Sequence, residues 1–199
     1  MAFLYISSPA LALTSEDIQN SYYRSYNYER THAYDEAIKS LIPVVDFLPR
    51  DYTINLRLGW LYYLRAGYAD SITYYRRAID AEPASFEARL GLLYPLLALA
   101  RTDEAINIVQ QILSVDRYNY YANQRLVAIL HQNGRLDQAE RASRSMLSLL
   151  PSDVFFLVEL GVIKTEQGDK VAAAETFKNV LLLDPENVVA RRYFSANTQ

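Results

Sequence analysis

The chain has 199 residues, of which 51% are hydrophobic and 22% charged, a balance that excludes an intrinsically disordered segment. Its formal charge of -3 supplies no concentrated positive field, so nucleic acid is excluded as a partner. There is no Cys, and only 2 His and 6 Gly, which leaves no material for disulfides, thiolate chemistry or Cys-held zinc and little for other metal sites or glycine-built phosphate cradles. Tyr is abundant at 17 residues, an excess that needs a structural or functional account.

At the front, residues 1–12 read MAFLYISSPALA. An apolar stretch from Ala2 to Ile6 precedes Ser-Ser-Pro, and Ala10-Leu11-Ala12 has the small-x-small form of a signal peptidase site. The stretch is shorter than the usual apolar region of about 7–15 residues and has no basic flank, so it reads as the remnant of an export signal. Residues 1–17 are therefore expected to be this remnant and a flexible lead-in, with cleavage after Ala12 and a periplasmic or secreted protein. The alternative is an ordinary flexible terminus on a cytoplasmic one. Leu90–Ala100 is the longest later apolar run; it contains Pro95 and is too short to span a bilayer, so no transmembrane segment is expected.

From residue 18 onward a period of 34 organises the chain. Pro49, Pro83, Pro151 and Pro185 lie on one lattice, with Arg117 at the missing point. Ala37, Ala105, Ala139 and Ala173 lie on another, with Ser71 in the remaining slot. Five units follow: 18–51, 52–85, 86–119, 120–153 and 154–187. Within each, apolar residues recur at helical spacing in two segments, as in Leu58, Leu61 and Tyr62 followed by Tyr75, Ala78 and Ile79. Short polar turns such as Gln132-Asn133-Gly134-Arg135 join the segments, and proline-containing stops close the units. One helix pair cannot bury its apolar face alone, so the pairs must stack into an all-α solenoid. Residues 188–199 start a further first helix and read as a C-terminal cap, Val189, Tyr193 and Phe194 covering the last unit while Arg191 and Arg192 face water. In the first unit, Ser21, Arg24 and Ser25 stand where later units place core residues, as expected of a terminal repeat without an upstream neighbour. Pro95 falls inside the first helix of the third unit, where a kink is expected.

The pattern resembles the tetratricopeptide repeat family. Leu58, Leu92, Leu126 and Leu160 occupy unit position 7, Gly59 and Gly161 position 8, Tyr28 and Tyr62 position 11, and Tyr75 and Phe177 position 24. Departures are Leu93 and Val127 at position 8 and Lys164 at position 11. The resemblance implies a right-handed superhelix of five helix-turn-helix repeats, with positions 2, 5, 9 and 12 of each first helix lining a concave groove. Those positions carry Tyr22, Tyr26 and Glu29, then Leu56, Trp60 and Tyr63, then Leu90 and Tyr94, then Tyr121, Gln124 and His131, then Phe155, Val158 and Val162. Arg57 and Arg125, at position 6, are expected on the rim. The lysine, asparagine and arginine clamp with which some family members hold a C-terminal carboxylate is absent from the first two units. The candidate binding residues are therefore Tyr22, Tyr26, Arg57, Trp60, Tyr63, Tyr94, Tyr121, Gln124, Arg125 and His131, a ring-rich stripe suited to contact with a partner at low entropy cost.

No nucleophile elbow, P-loop, HExxH or dinucleotide fingerprint occurs, and the acidic pairs Asp35-Glu36 and Asp103-Glu104 stand where second helices begin, complementing the helix dipole. No catalytic residue, metal site or cofactor is expected. The leading reading is a non-catalytic scaffold that binds an extended or helical peptide segment of a cell-envelope partner. A glycan stacked on the groove rings is the alternative, and self-association to a homo-oligomer is a third option.

Overall fold

A computed structural model describes residues 13–196, all of whose regular elements are helices. They are α1 (Ser15–Arg30), α2 (Tyr34–Phe47), α3 (Tyr52–Leu64), α4 (Tyr68–Ala81), α5 (Phe86–Ala98), α6 (Thr102–Val115), α7 (Tyr120–Gln132), α8 (Leu136–Leu147), α9 (Val154–Glu166), α10 (Lys170–Leu183) and α11 (Val188–Ala196). The period is exact in the helix starts. From α2 on, second helices begin at residues 34, 68, 102, 136 and 170, and first helices at 52, 86, 120, 154 and 188. The export-signal reading of residues 1–12 lies outside the described residues. The lead-in ends sooner than residue 17, because Ser15–Asp17 already form the first turn of α1. Thr14 caps that turn: its hydroxyl accepts from the Asp17 amide at 3.1 Å and the Asp17 carboxylate answers the Thr14 amide at 3.0 Å.

The chain forms two compact units, one running to Arg101 and the other from Thr102. The first holds α1–α5 and the second α6–α11, so the third repeat contributes one helix to each. In the first unit Ala37, Leu41, Val44, Ile54, Leu58 and Leu61 are buried in a common core. In the second, Val127, Met146 and Phe156 pack together, and so do Leu157, Phe177, Val180 and Ala190.

Three register positions explain the turns. Position 34 is always a capping residue. Asp51, Ser85, Asn119, Asp153 and Asn187 each accept, through a side-chain oxygen, from the amide three residues on. Position 4 ties down the turn between repeats. The side chains of Asn55, Arg89 and Asn123 donate to backbone carbonyls four and six residues earlier, at 2.6–3.1 Å. Position 15, in the turn within each repeat, requires a positive φ: His32, Ala66, Ala100, Gly134 and Gly168 lie between 55° and 79°. Glycine meets that demand without strain, whereas the left-handed conformation costs other residues about 1–2 kcal/mol.

Position 8 sets the distance between the helices of a pair. A Cβ on Gly59 would lie 2.9 Å from Cγ of Tyr75, and one on Gly161 would lie 2.7 Å from Cε1 of Phe177. Small size there admits the aromatic residue of position 24. Gly91, on α5, flanks Tyr75 from the other side, where a Cβ would stand 2.7 Å from Cζ. Pro95 sits buried within α5 and does not end it.

The polarity of the first unit has a different cause from the one its terminal place suggests. Ser21 and Ser25 are buried, not solvated, and their hydroxyls donate to the helix carbonyls of Asp17 and Tyr22 at 2.9 and 2.8 Å. At the other end, Tyr193 packs on Phe177 with ring centroids 4.8 Å apart, and Arg191 pairs with Glu186, as a cap requires. Val189, expected to cover the last repeat, is 42% exposed.

Two glycine substitutions separate the two constraints. Gly161→Ala overpacks Phe177 and is expected to cost about 1–3 kcal/mol. Gly168→Ala meets no neighbouring atom, yet forces a side chain into φ 79° and is expected to cost about 1–2 kcal/mol. Urea denaturation measures both, and only the first is expected to alter the near-UV circular dichroism of the aromatic core.

Candidate functional site

In the first unit, rings from α3 and α5 come together in one cluster. Trp60 lies 5.6 Å from Tyr63 and 6.0 Å from Tyr94, centroid to centroid, and Tyr63 lies 5.3 Å from Tyr94. All three rings are half-buried, and the Tyr63 and Tyr94 hydroxyls lie in the electrostatic neighbourhood of the buried Tyr75. Tyr68, at the start of α4, closes on Tyr63 at 6.0 Å near the turn. The cluster thus orders its own rings and leaves part of each open to solvent.

Beside it sits a buried charge network. Arg57 is only 8% exposed, so it is not the rim residue expected from position 6. Its guanidinium inserts between α1 and α3 because partners wait there. Nη1 pairs with Glu29, Nε donates to Ser25 Oγ at 3.2 Å, and the Tyr26 ring covers the group with its centroid 3.8 Å from Cζ. Nη2 is buried without a hydrogen-bond acceptor. The other carboxylate oxygen of Glu29 accepts the Trp60 indole N–H at 2.7 Å, which fixes the ring that faces solvent. Tyr26 remains 53% exposed above this network. Tyr22 differs from it: half-buried, it packs on the core of the first unit, and burial pushes its phenol above the usual range.

In the second unit, Tyr121 is 66% exposed and stands edge-on to Tyr120, 5.6 Å away. Gln124 donates to the Tyr120 hydroxyl at 3.1 Å, and Arg125 is exposed on the same helix. Phe155 is half-buried against the buried Phe156. His131 is held at both ring nitrogens, Nδ1 by Glu159 at 3.0 Å and Nε2 by Glu166 at 3.1 Å. It is a hydrogen-bonded wall with both nitrogens engaged. Burial lowers its pKa, but the hydrogen bonds to Glu166 and Glu159 outweigh this and raise it above the ordinary value of 6.5.

Sequence reasoning did not single out the carboxylates Glu159 and Glu166. A signal existed: His131 and Glu159 occupy positions 12 and 6 of successive repeats, 28 residues apart, and so do Glu29 and Arg57. The same contact is made twice, with acid and base exchanged. The acidic pairs stand where expected, Asp35-Glu36 in the first turn of α2 and Asp103-Glu104 in that of α6. Asp35 also reaches Arg65 at 2.9 Å, and Asp103 reaches Arg135 at 2.7 Å. Lys164, the departure at position 11, forms a 2.7 Å pair with Glu140, whose carboxyl is brought down to about 2 chiefly by that hydrogen bond. Among the described residues no cluster of three His, Asp or Glu is placed to hold a metal ion, and no helix is long and apolar enough to cross a membrane.

The same architecture recurs in solved structures. A tetratricopeptide repeat protein from Parabacteroides merdae superimposes with a TM-score of 0.78 at 14% identity, over 92% of this chain and 72% of that one. YrrB, described as a TPR protein with an unusual peptide-binding site, gives 0.68 at 14% identity, over 91% and 94%. The fold is that of the tetratricopeptide-repeat proteins. MamA from Desulfovibrio magneticus shares this TPR fold at a TM-score of 0.73 and 17% identity, over 88% and 99%. No family model matches the chain. Among curated proteins, a 137-residue stretch is 28% identical to the human protein O-mannosyl-transferase TMTC1, covering 67% of this chain and 16% of that protein.

The His131 clasp has a pH signature. A raised folded pKa means that its contribution to stability is complete below the unfolded value of 6.5 and is lost as pH rises through the folded pKa. Denaturation of the protein at pH 6 and pH 9 is expected to show lower stability at pH 9, and His131→Gln is expected to remove most of that difference.

Proposed function

We propose that this TPR chain is a non-catalytic protein-interaction scaffold whose ring surface takes an extended or helical peptide segment. The observation that carries the reading is the set Tyr26, Trp60, Tyr63 and Tyr94: aromatic, partly solvent-open and held by Glu29, Arg57 and mutual ring contacts. Rings held in place lose little entropy when a partner covers them, and their hydroxyl and indole groups orient it. Tyr121 and Gln124 offer a smaller surface of the same kind on the second unit. That YrrB, of the same fold, is described as having a peptide-binding site supports the reading. The partner is proposed to be a protein of the cell envelope, reached after export through the leader-like residues 1–12. The transferase name of the human relative belongs to a protein of which the match spans 16%, and the ring surface holds no arrangement of nucleophile and base.

Trp60 is the only Trp, so its emission reports occupancy of this surface. Titration with peptides from a candidate partner is expected to shift it, and titration with envelope oligosaccharides is expected to leave it unchanged; the reverse outcome replaces the peptide with a glycan. The double substitution Trp60→Ala and Tyr63→Ala is expected to weaken peptide binding by about tenfold or more, from the loss of two ring contacts. Helicity at 222 nm is expected to persist; its collapse would show that the rings are core.

A further inference from the structure

Three periods after the ring cluster, the same register positions are occupied quite differently. Trp60, Tyr63 and Tyr94 correspond to Val162, Thr165 and Ala196, and the floor residue Tyr75 corresponds to Phe177. Where the first unit fills this place with three of its own rings, the second leaves an open cavity of about 300 Å³ between α9 and α11. Val162, Thr165, Val189 and Ala196 line it, Phe177 and Tyr193 contribute ring surface, and Glu166 and Arg192 bring charge to it.

We propose that this cavity is an anchor pocket for one aromatic side chain of a peptide that carries an acidic residue beside it. The proposal rests on the peptide-binding reading and adds a second, chemically defined contact. Three observations point to this occupant. The chain's own solution at the equivalent register is aromatic, over an aromatic floor. The volume is at the lower end of the range for ligand pockets, which suits a single large side chain and not a packed helix. The charge is also complementary: Arg192 is exposed at the mouth, whereas Glu166 is drawn back by its hydrogen bond to His131. A carboxylate next to the aromatic residue would pair with Arg192 as that residue enters. Phe177 and Tyr193, already 4.8 Å apart, then offer the incoming ring tilted contacts like those among Trp60, Tyr63 and Tyr94.

The test uses the full chain with labelled methyl groups and the blocked peptide acetyl-Gly-Asp-Phe-Gly-amide. Saturable shifts of the Val162 and Val189 methyls are expected. Replacing Phe by Ala in the peptide is expected to abolish them, and replacing Asp by Lys, or making Arg192→Glu in the protein, to weaken binding several-fold. Val162→Trp refills the cavity and is expected to weaken binding by about tenfold or more. Thr165→Tyr, which copies Tyr63, gives the same result if Val162→Trp does not fold. Unmoved Val162 and Val189 methyls, or unchanged binding to both filled variants, would overturn the proposal. Concentration-dependent methyl shifts without peptide would do so as well, by assigning the cavity to a second copy. A peptide that moves Trp60 emission but not these methyls leaves the ring surface standing and removes this pocket; one that moves the methyls but not Trp60 does the opposite.

Discussion

The close approach of an aromatic ring to a small residue governs this structure. Tyr75 is buried, facing the bare α-carbons of Gly59 on α3 and Gly91 on α5. No side chain separates the ring from either helix, so the first helix of one repeat, its second helix and the first helix of the next are held at distances set by one residue. Phe177 repeats the arrangement against Gly161, with Tyr193 in the place of Gly91. A repeat stack has few long-range contacts, so spacing errors would accumulate from one neighbour to the next. Tyr75 and Phe177 each fix such an interval with a rigid ring, while Leu41, Val109 and Ser143 hold the same register position in the other repeats.

The ring surface inherits this logic. Because position 9 faces the same way in each repeat, a single substitution pattern decides whether the face is filled or open. Large rings at positions 9 and 12 give the nested cluster of Trp60, Tyr63 and Tyr94. Small residues there give the cavity over Phe177. Charge obeys the same register. The pair at positions 12 and 6 is Glu29 with Arg57 in one place and His131 with Glu159 in another. The first joins a carboxylate to a guanidinium. The second depends on a proton, so it ties the interval between α7 and α9 to pH.

Much of this was legible in the sequence, because helix periodicity and the 34-residue repeat are properties of residue order alone. The prolines and alanines placed each repeat, and Gly59 and Gly161 disclosed where helices touch. The cap positions were equally periodic but hidden by variety: Asp51, Ser85, Asn119, Asp153 and Asn187 share a function, not an identity. Position 4 was hidden for the same reason, Asn55 and Arg89 being chemically unlike yet donating to equivalent carbonyls. Arg57 was misplaced on the rim because a lone arginine is usually solvated; only the meeting of Ser25, Tyr26 and Glu29 around it, from another repeat, makes burial favourable. The polarity of Ser21 and Ser25 was laid to the terminal place of their repeat, whereas helix carbonyls satisfy their buried hydroxyls.

The spacing account is tested most directly by nuclear Overhauser contacts of the Tyr75 ring in solution. The account predicts cross-peaks from its ring protons to the α-protons of both Gly59 and Gly91. Contacts to Gly59 alone, with Gly91 out of reach, would contradict it, since the ring would then join one helix pair without setting the position of the next repeat.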